Sequence, residues 1–371
     1  MTYMNLQVDR TRLSDIEVQI LDLERSLSAL RAEKEVVRER LDSYRYPVLT
    51  LPNEIVSEIF VQFLPLYPDP PPFCGDGSPT TLTHICHKWR EVALATPLLW
   101  RALAFSPYDT ISVERQRYIS EIWLKRSYSC PLSIIIDNWW NIYEFPSELV
   151  PHCARWEHLK LTGSNLPKID GPMPLLRDLG IMIGLCDLFP SYDAPLLRTV
   201  FLNTVAASRI TLPWKQLASL TLYWVQSSQC VAILQQTVDL VHCDLDFPIA
   251  RERIHTGPDI TLPYLDSLVL KNSNGGSLIG FLDTLVVPAL RILHLPERFL
   301  GATPIESLKS FISKSGCTLE QVHLTGVRTL LATDKSYHSA FPHIPDFTFQ
   351  VPYIEETPTD DEDVEDGDNS G

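Results

Sequence analysis

Between residues 13 and 41, apolar side chains recur at alternating intervals of three and four: Leu13, Ile16, Ile20, Leu23, Leu27, Leu30, then Lys34, Val37 and Leu41. That spacing draws one seam of a and d positions along a helix, with a lysine at one a position. Glu17, Glu24, Arg31, Glu33, Arg38 and Arg40 lie between the seam residues, and residues 1–46 contain neither Pro nor Gly. The pattern predicts one long helix over 1–46. Its stripe suits a coiled-coil homodimer through residues 13–41, and it suits equally a helix folded back on its own chain.

A second apolar arc follows Pro47. Pro52 fits the first turn of a helix, where its missing N–H costs nothing, and Glu54 suits the positive end of the helix dipole. Ile55, Ile59 and Phe63 form one i, i+4 row, with Val56, Phe60 and Leu64 beside it. This arc is wide for a short helix: it can cover an internal core and leave a strip for a partner. Residues 65–79, PLYPDPPPFCGDGSP, predict a flexible loop. Residues 81–97, TLTHICHKWREVALATP, predict a second helix with Leu82, Ile85, Cys86, Trp89, Val92 and Ala93 on one face, ended by Pro97.

From residue 156 the period changes. An apolar-x-x-apolar-x-apolar pattern ends at Leu161, Ile181, Leu202, Leu222, Leu245, Leu270, Leu295, Leu324 and, more weakly, Phe349. Successive ends lie 20 to 29 residues apart. Leu132, Ile134 and Ile136 begin the array one unit earlier. Each unit resembles a degenerate leucine-rich repeat: an apolar strand buried against its neighbours, with a longer return. The asparagine that usually follows the strand in that family is mostly absent here, although Asn203 and Asn272 stand near the position. Helical returns are expected at 227–238 and 305–316.

Strand side chains alternate, so the residues between the anchors face out along the inner side of such an array. They include Lys160, Phe201, Asp244, His294 and His323, followed in some units by Tyr223, Asp246 and Lys271. Phe201 and Tyr223 are expected to be exposed aromatics flanked by Asp244, Asp246 and Lys271, which marks residues 201–271 as the recognition surface. The same aromatics under a neighbouring loop would be ordinary core. His294 and His323 are expected on one shared exposed face.

Charge and cysteines narrow the function. The formal net charge is −15, and nine acidic residues between Glu355 and Asp368 contribute most of it. Residues 354–371 therefore read as a disordered acidic tail, and with no basic patch, nucleic acid is not an expected partner. The eight cysteines show no CxxC spacing, the N-terminus has no apolar signal-like run, and no apolar stretch is long enough for a membrane span. A cytoplasmic or nuclear protein with reduced cysteines is expected. Cys74, His84, Cys86 and His87 offer zinc-type ligands but not two clean pairs, so no metal site is expected. No cofactor or catalytic motif is present, and the chain is not expected to be an enzyme.

Leu51-Pro52-x-Glu54-Ile55, Ile59, then Ile85-Cys86-x-x-Trp89-Arg90 and Ala95-x-Pro97-Leu98-Leu99-Trp100 resemble an F-box, with a longer loop than is usual in that family. A heptad helix running into it is similar to the large F-box families of mushroom-forming fungi. The resemblance covers about residues 13–105. It implies that Leu51, Pro52, Glu54, Ile55 and Ile59 dock a Skp-family adaptor, and through it a cullin–RING ubiquitin ligase, while Trp89 and Trp100 pack the helical core. The expected fold is α then α/β: a long helix at 1–46, a small helical F-box at 47–105, an irregular leucine-rich-repeat-like solenoid at 106–353, and the tail. The expected function is the substrate-recognition subunit of such a ligase. The alternative is a coiled-coil and repeat scaffold without ubiquitin chemistry.

Overall fold

The computed structural model describes residues 3–43, 47–138, 145–163, 169, 171–184, 191–248, 259–272, 278–326 and 333–350. The acidic tail lies outside them. The chain is α then α/β: a long helix, a few short helices, then a parallel sheet with helices in its returns.

The first helix, α1 (Tyr3–Ser43), runs without a break, and every described side chain from Asn5 to Ser43 is exposed. The fold-back reading is therefore corrected: among the described residues the seam is covered by nothing in its own chain. Three short helices follow, α2 (Asn53–Phe63), α3 (Pro79–Leu82) and α4 (His87–Leu94). The single helix expected over 81–97 is broken, because Cys86 is extended (φ −157°) and caps α4, its Sγ 3.5 Å from the Trp89 amide. Pro52 sits one position earlier than expected, at the N-cap of α2, where its carbonyl accepts the Val56 N–H at 3.1 Å.

Residues 102–105 leave the helical unit. They form β1 (Ala102–Phe105), which pairs in parallel with β2 (Leu132–Asn138), so the helical unit and the sheet share a continuous edge. Between them lies α5 (Val113–Arg126), which the apolar pattern did not reveal. Two of its four buried positions are polar, Gln116 and Ser120, and these interrupt the stripe. Gln116 is satisfied locally: its amide donates to the carbonyls of Ser106 (2.7 Å) and Ile111 (3.1 Å), and its oxygen accepts from the Ser106 N–H.

The remaining strands are β3 (Trp156–Gly163), β4 (Asp178–Ile183), β5 (Thr199–Asn203), β6 (Ser219–Tyr223), β7 (His242–Asp246), β8 (Ile260–Thr261), β9 (Ser267–Lys271), β10 (Leu285–Val286), β11 (Ile292–Pro296), β12 (Gln321–Thr325) and β13 (Asp346–Gln350). Among the described residues eleven strands form one sheet in the order β1-β2-β3-β4-β5-β6-β7-β9-β11-β12-β13, while β8 and β10 pair separately. All pairings are parallel, and every expected apolar-x-apolar unit supplies one strand.

The register explains the burial. Ile134, Leu159, Leu179, Val200, Leu220, Cys243, Leu268, Leu293, Val322 and Phe347 form one lateral row, and the second anchors form another two residues on. These rows are buried, apart from a half-buried Phe349 at the last strand. They share one core with the inner faces of α6 (Thr204–Arg209), α7 (Ser227–Leu234) and α8 (Pro304–Ser315); α7 lies within the expected return at 227–238, and α8 matches that at 305–316 to one residue at each end. A ninth helix, α9 (Asp334–Ala340), brings Tyr337 into the core beside β13, its hydroxyl donating to buried Glu297 at 2.6 Å.

Candidate functional site

Beyond the seam of α1, two surfaces among the described residues carry side chains that the fold leaves outside. The first is on α2. Its Val56–Phe60 row is 1 % exposed, whereas Ile55, Ile59 and Phe63 on the adjoining row are 50, 48 and 47 % exposed. Phe60 meets the edge of the half-buried Trp89 at 5.0 Å. Trp100 is buried, its Nε1–H donating to the Ala93 carbonyl at 3.0 Å, and its ring meets Trp123 at 5.6 Å. Both tryptophans thus pack the helical unit, as the sequence implied.

The Leu51–Pro52 entrance to α2 is held by a cation. Lys88 Nζ donates to the carbonyls of Leu49 (2.8 Å) and Leu51 (2.7 Å). Pro52 and Glu54 are exposed, while Leu51 is half-buried and packs against the core. Of the five residues singled out here, Pro52, Glu54, Ile55 and Ile59 are free to meet a partner, and Leu51 serves mainly as an anchor. Phe63 extends the exposed row by one turn, as its i, i+4 spacing foretold.

The loop at 65–79 is not helical before Pro79, but neither does it hang free. Phe73 inserts between Phe105 and Trp123 at 5.7 and 5.1 Å. Ser133 Oγ donates to the Pro68 carbonyl at 2.6 Å. Tyr67 donates to Glu157 at 3.0 Å, meets His158 edge-on at 5.2 Å, and lies under the Arg101 guanidinium at 3.7 Å. Burial and the Glu157 charge push the Tyr67 phenol well above its usual range. His158 also pairs with Asp178, whose own burial opposes ionisation but is outweighed by hydrogen bonds from His158 and Thr199, leaving its carboxyl below the ordinary value. This polar cluster clamps the loop onto the sheet.

The open face of the sheet departs from expectation in detail. The row Lys160, Gly180, Phe201, Thr221, Asp244, Val269, His294, His323, Thr348 crosses it in register, as the alternation required. Phe201 and Tyr223, however, are half-buried. Phe201 lines a cavity of about 240 Å³ beneath the loop, with Pro68, His158 and Lys160. Asp246 is buried rather than flanking, because the chain leaving β6 closes on the end of β7: the Val225 N–H donates to the Asp246 carbonyl at 3.0 Å. Asp244 and Lys271 pair with each other at 2.7 Å. His294 and His323 do share a face, rings 5.3 Å apart, but both are half-buried, and His323 Nδ1 lies 2.8 Å from Thr348 Oγ1.

The second surface lies at the carboxyl ends of the strands, where parallel sheets commonly hold ligands. A groove of about 740 Å³ is lined by Asp137 of β2, Thr162 of β3, Met182 of β4, Asn203 of β5 and Tyr223 of β6, together with Tyr108 and Trp224. Tyr223 and Trp224 stack at 5.1 Å and 15°. Trp224 is 46 % exposed and held at φ +55°, a left-handed conformation that costs a bulky residue energy. Asn203 braces one wall: its amide donates to the Ile183 carbonyl at 2.7 Å, and its oxygen accepts from the Ala206 N–H at 3.0 Å. Sequence reasoning missed Trp224 and Tyr108, which fall outside the repeating anchors. The available signal was a tryptophan directly after an expected strand, next to Tyr223.

Among the described residues no group of three or more His, Cys, Asp or Glu is gathered as a metal site, and no helix is long and apolar enough to cross a membrane. No family model matches the chain, and no curated protein matches it significantly.

Proposed function

We propose that the chain is a substrate-receptor subunit of a Skp–cullin–F-box type ubiquitin ligase, not itself catalytic, working in the cytoplasm or nucleus. In this reading residues 51–100 are an F-box and the parallel array is a leucine-rich-repeat-like solenoid. The observation that carries the proposal is the split helix α2: one row, Val56 and Phe60, is core, and the adjoining row of Ile55, Ile59 and Phe63 is left outside behind a Leu-Pro turn held by Lys88. A helix that exposes a three-residue apolar row suits a docked partner. The Skp-family adaptor would cover that row, and the array would take the substrate, its aromatic groove at Tyr108, Tyr223 and Trp224 supplying the anchors.

The test is calorimetry of the full chain with a Skp-type adaptor. Ile55→Ser with Ile59→Ser should weaken binding by more than tenfold, about 1.4 kcal/mol or more, and leave the melting temperature in place. A wild-type chain that binds no such adaptor overturns the ligase reading. The scaffold reading, favoured independently by the exposed seam of α1, would then stand.

A further inference from the structure

We propose that α1 pairs with the α1 of a second copy of this chain in an antiparallel coiled coil. The inference does not depend on the ligase reading. It starts from a helix of 41 residues with no described side chain covered and a seam that is apolar at every position from Leu13 to Leu41 except Lys34. In water such a seam finds a partner; the charges beside it fit a second copy of the same helix, and the lysine within it sets the direction.

The residues that follow each d position are Glu17, Glu24, Arg31 and Arg38. Acid occupies the first half of this row and base the second. When two copies run in opposite directions these rows face one another, and the acidic half of each lies along the basic half of the other. The chain is thus complementary to its own reverse. Two parallel copies would instead set Arg12 against Glu17 and Glu33 against Arg38, so flank charge alone suits both directions.

Lys34 separates them. It occupies an a position of the seam. In a parallel, in-register pair, a positions face each other, and two ammonium groups would share one layer of the interface. In the antiparallel pair every a faces a d. The register that uses the seam from residue 16 to residue 41 sets Ile16 against Leu41, Ile20 against Val37, Leu23 against Lys34 and Leu27 against Leu30. Each Lys34 then packs its stem on a leucine, with Glu24 of the second copy on the same flank for its ammonium. The two lysines are eleven residues apart along the rod, roughly 16 Å. Every other layer is wholly apolar.

The consequence is geometric. The C-terminal ends of the two helices, where the rest of each chain begins, lie roughly 40 Å apart along the rod instead of side by side. Two arrays carried this way are offset by the length of the rod, and they gain avidity where two sites on one target can be reached at once.

Dipolar electron resonance on the full chain tests the direction. A bioorthogonal spin label is placed at Ser14 in one sample and at Ser28 in another, both at b positions off the seam. Antiparallel pairing gives a short distance at position 28, under about 30 Å, and an axial separation near 40 Å at position 14, from 29 residues at 1.5 Å each. Short distances at both positions establish a parallel pair and overturn the proposal. Light scattering that shows a monomer at tens of micromolar, with no dipolar coupling at either position, overturns it as well. Leu23→Lys with Leu30→Lys must abolish both the coupling and the dimer, or the seam is not the interface.

Discussion

The array and the N-terminal hundred residues treat the same raw material in opposite ways. In the sheet, the anchors of ten consecutive units are buried almost without exception. In α1 and α2, an equally regular spacing leaves whole rows outside: the seam from Leu13 to Leu41, and the row of Ile55, Ile59 and Phe63. The difference lies in what each element has beside it. A strand in a stacked array always has a neighbouring strand and a returning segment to bury against, whereas among the described residues no side chain of α1 is covered, and α2 is covered on one face only, by α4 and the turn at Pro97–Trp100. Apolar periodicity tells where a covered face will be; topology decides whether the chain itself supplies the cover. Where it does not, another chain is the economical answer.

The contrast is sharpest in a pair of truncations. Leu220→Ala in β6 removes a fully buried side chain from the middle of the sheet and should cost about 3 kcal/mol in urea unfolding. Next in size is Tyr337→Phe, which strips the 2.6 Å hydrogen bond from buried Glu297. That change should cost about 1–3 kcal/mol, because it removes a donor from a carboxylate out of water. The α2 double variant Ile55→Ser/Ile59→Ser should change the unfolding free energy by less than about 0.5 kcal/mol, as surface changes do. If it costs as much as Leu220→Ala, the row is core and the comparison fails.

The array was legible because two periods reinforce each other there: alternation within a strand, and a recurrence of 20 to 29 residues between strands. Both signals need only the apolar or polar character of a position and no particular contact, so weak units such as the one ending at Phe349 were still placed. What escaped was set by particular contacts. The helix α5 hides its buried face behind Gln116 and Ser120, whose hydrogen bonds are met within the chain. The break before α4 rests on one extended residue, Cys86. The sites were less legible than the fold. The exposed row on α2 follows from helical spacing, but Leu51 is drawn inward by core packing. On the sheet, alternation assigned a face correctly and exposure incorrectly, because the loop around Pro68 covers Phe201 and the turn after β6 closes on Asp246. The rim groove depends on Tyr108 and Trp224, which belong to no repeat and are joined only by the folding of the array.

The smallest expected effect separates the two faces of the array by pH. His294 is half-buried beside His323, and burial first, then the neighbouring imidazole and Lys271, push its pKa below the ordinary value; Asp346 and Asp244 pull the other way without prevailing. A histidine depressed in the fold takes up its proton more readily in the unfolded chain. Stability from this group is therefore complete above the unfolded value, about 6.5, and is lost as pH falls below it towards the lower folded value. His152, lowered by burial and by Arg155, acts in the same sense and persists in any variant at 294. Lowering pH from 7.5 to 5.5 should lower the melting temperature of the wild type, and His294→Gln should shrink that drop without removing it. A core position such as Leu220→Ala should lower the melting temperature at both pH values and leave the drop between them unchanged. An undiminished drop in His294→Gln would show that this imidazole titrates as freely in the fold as in the unfolded chain, and that the sheet's outer row is as wet as simple alternation suggests.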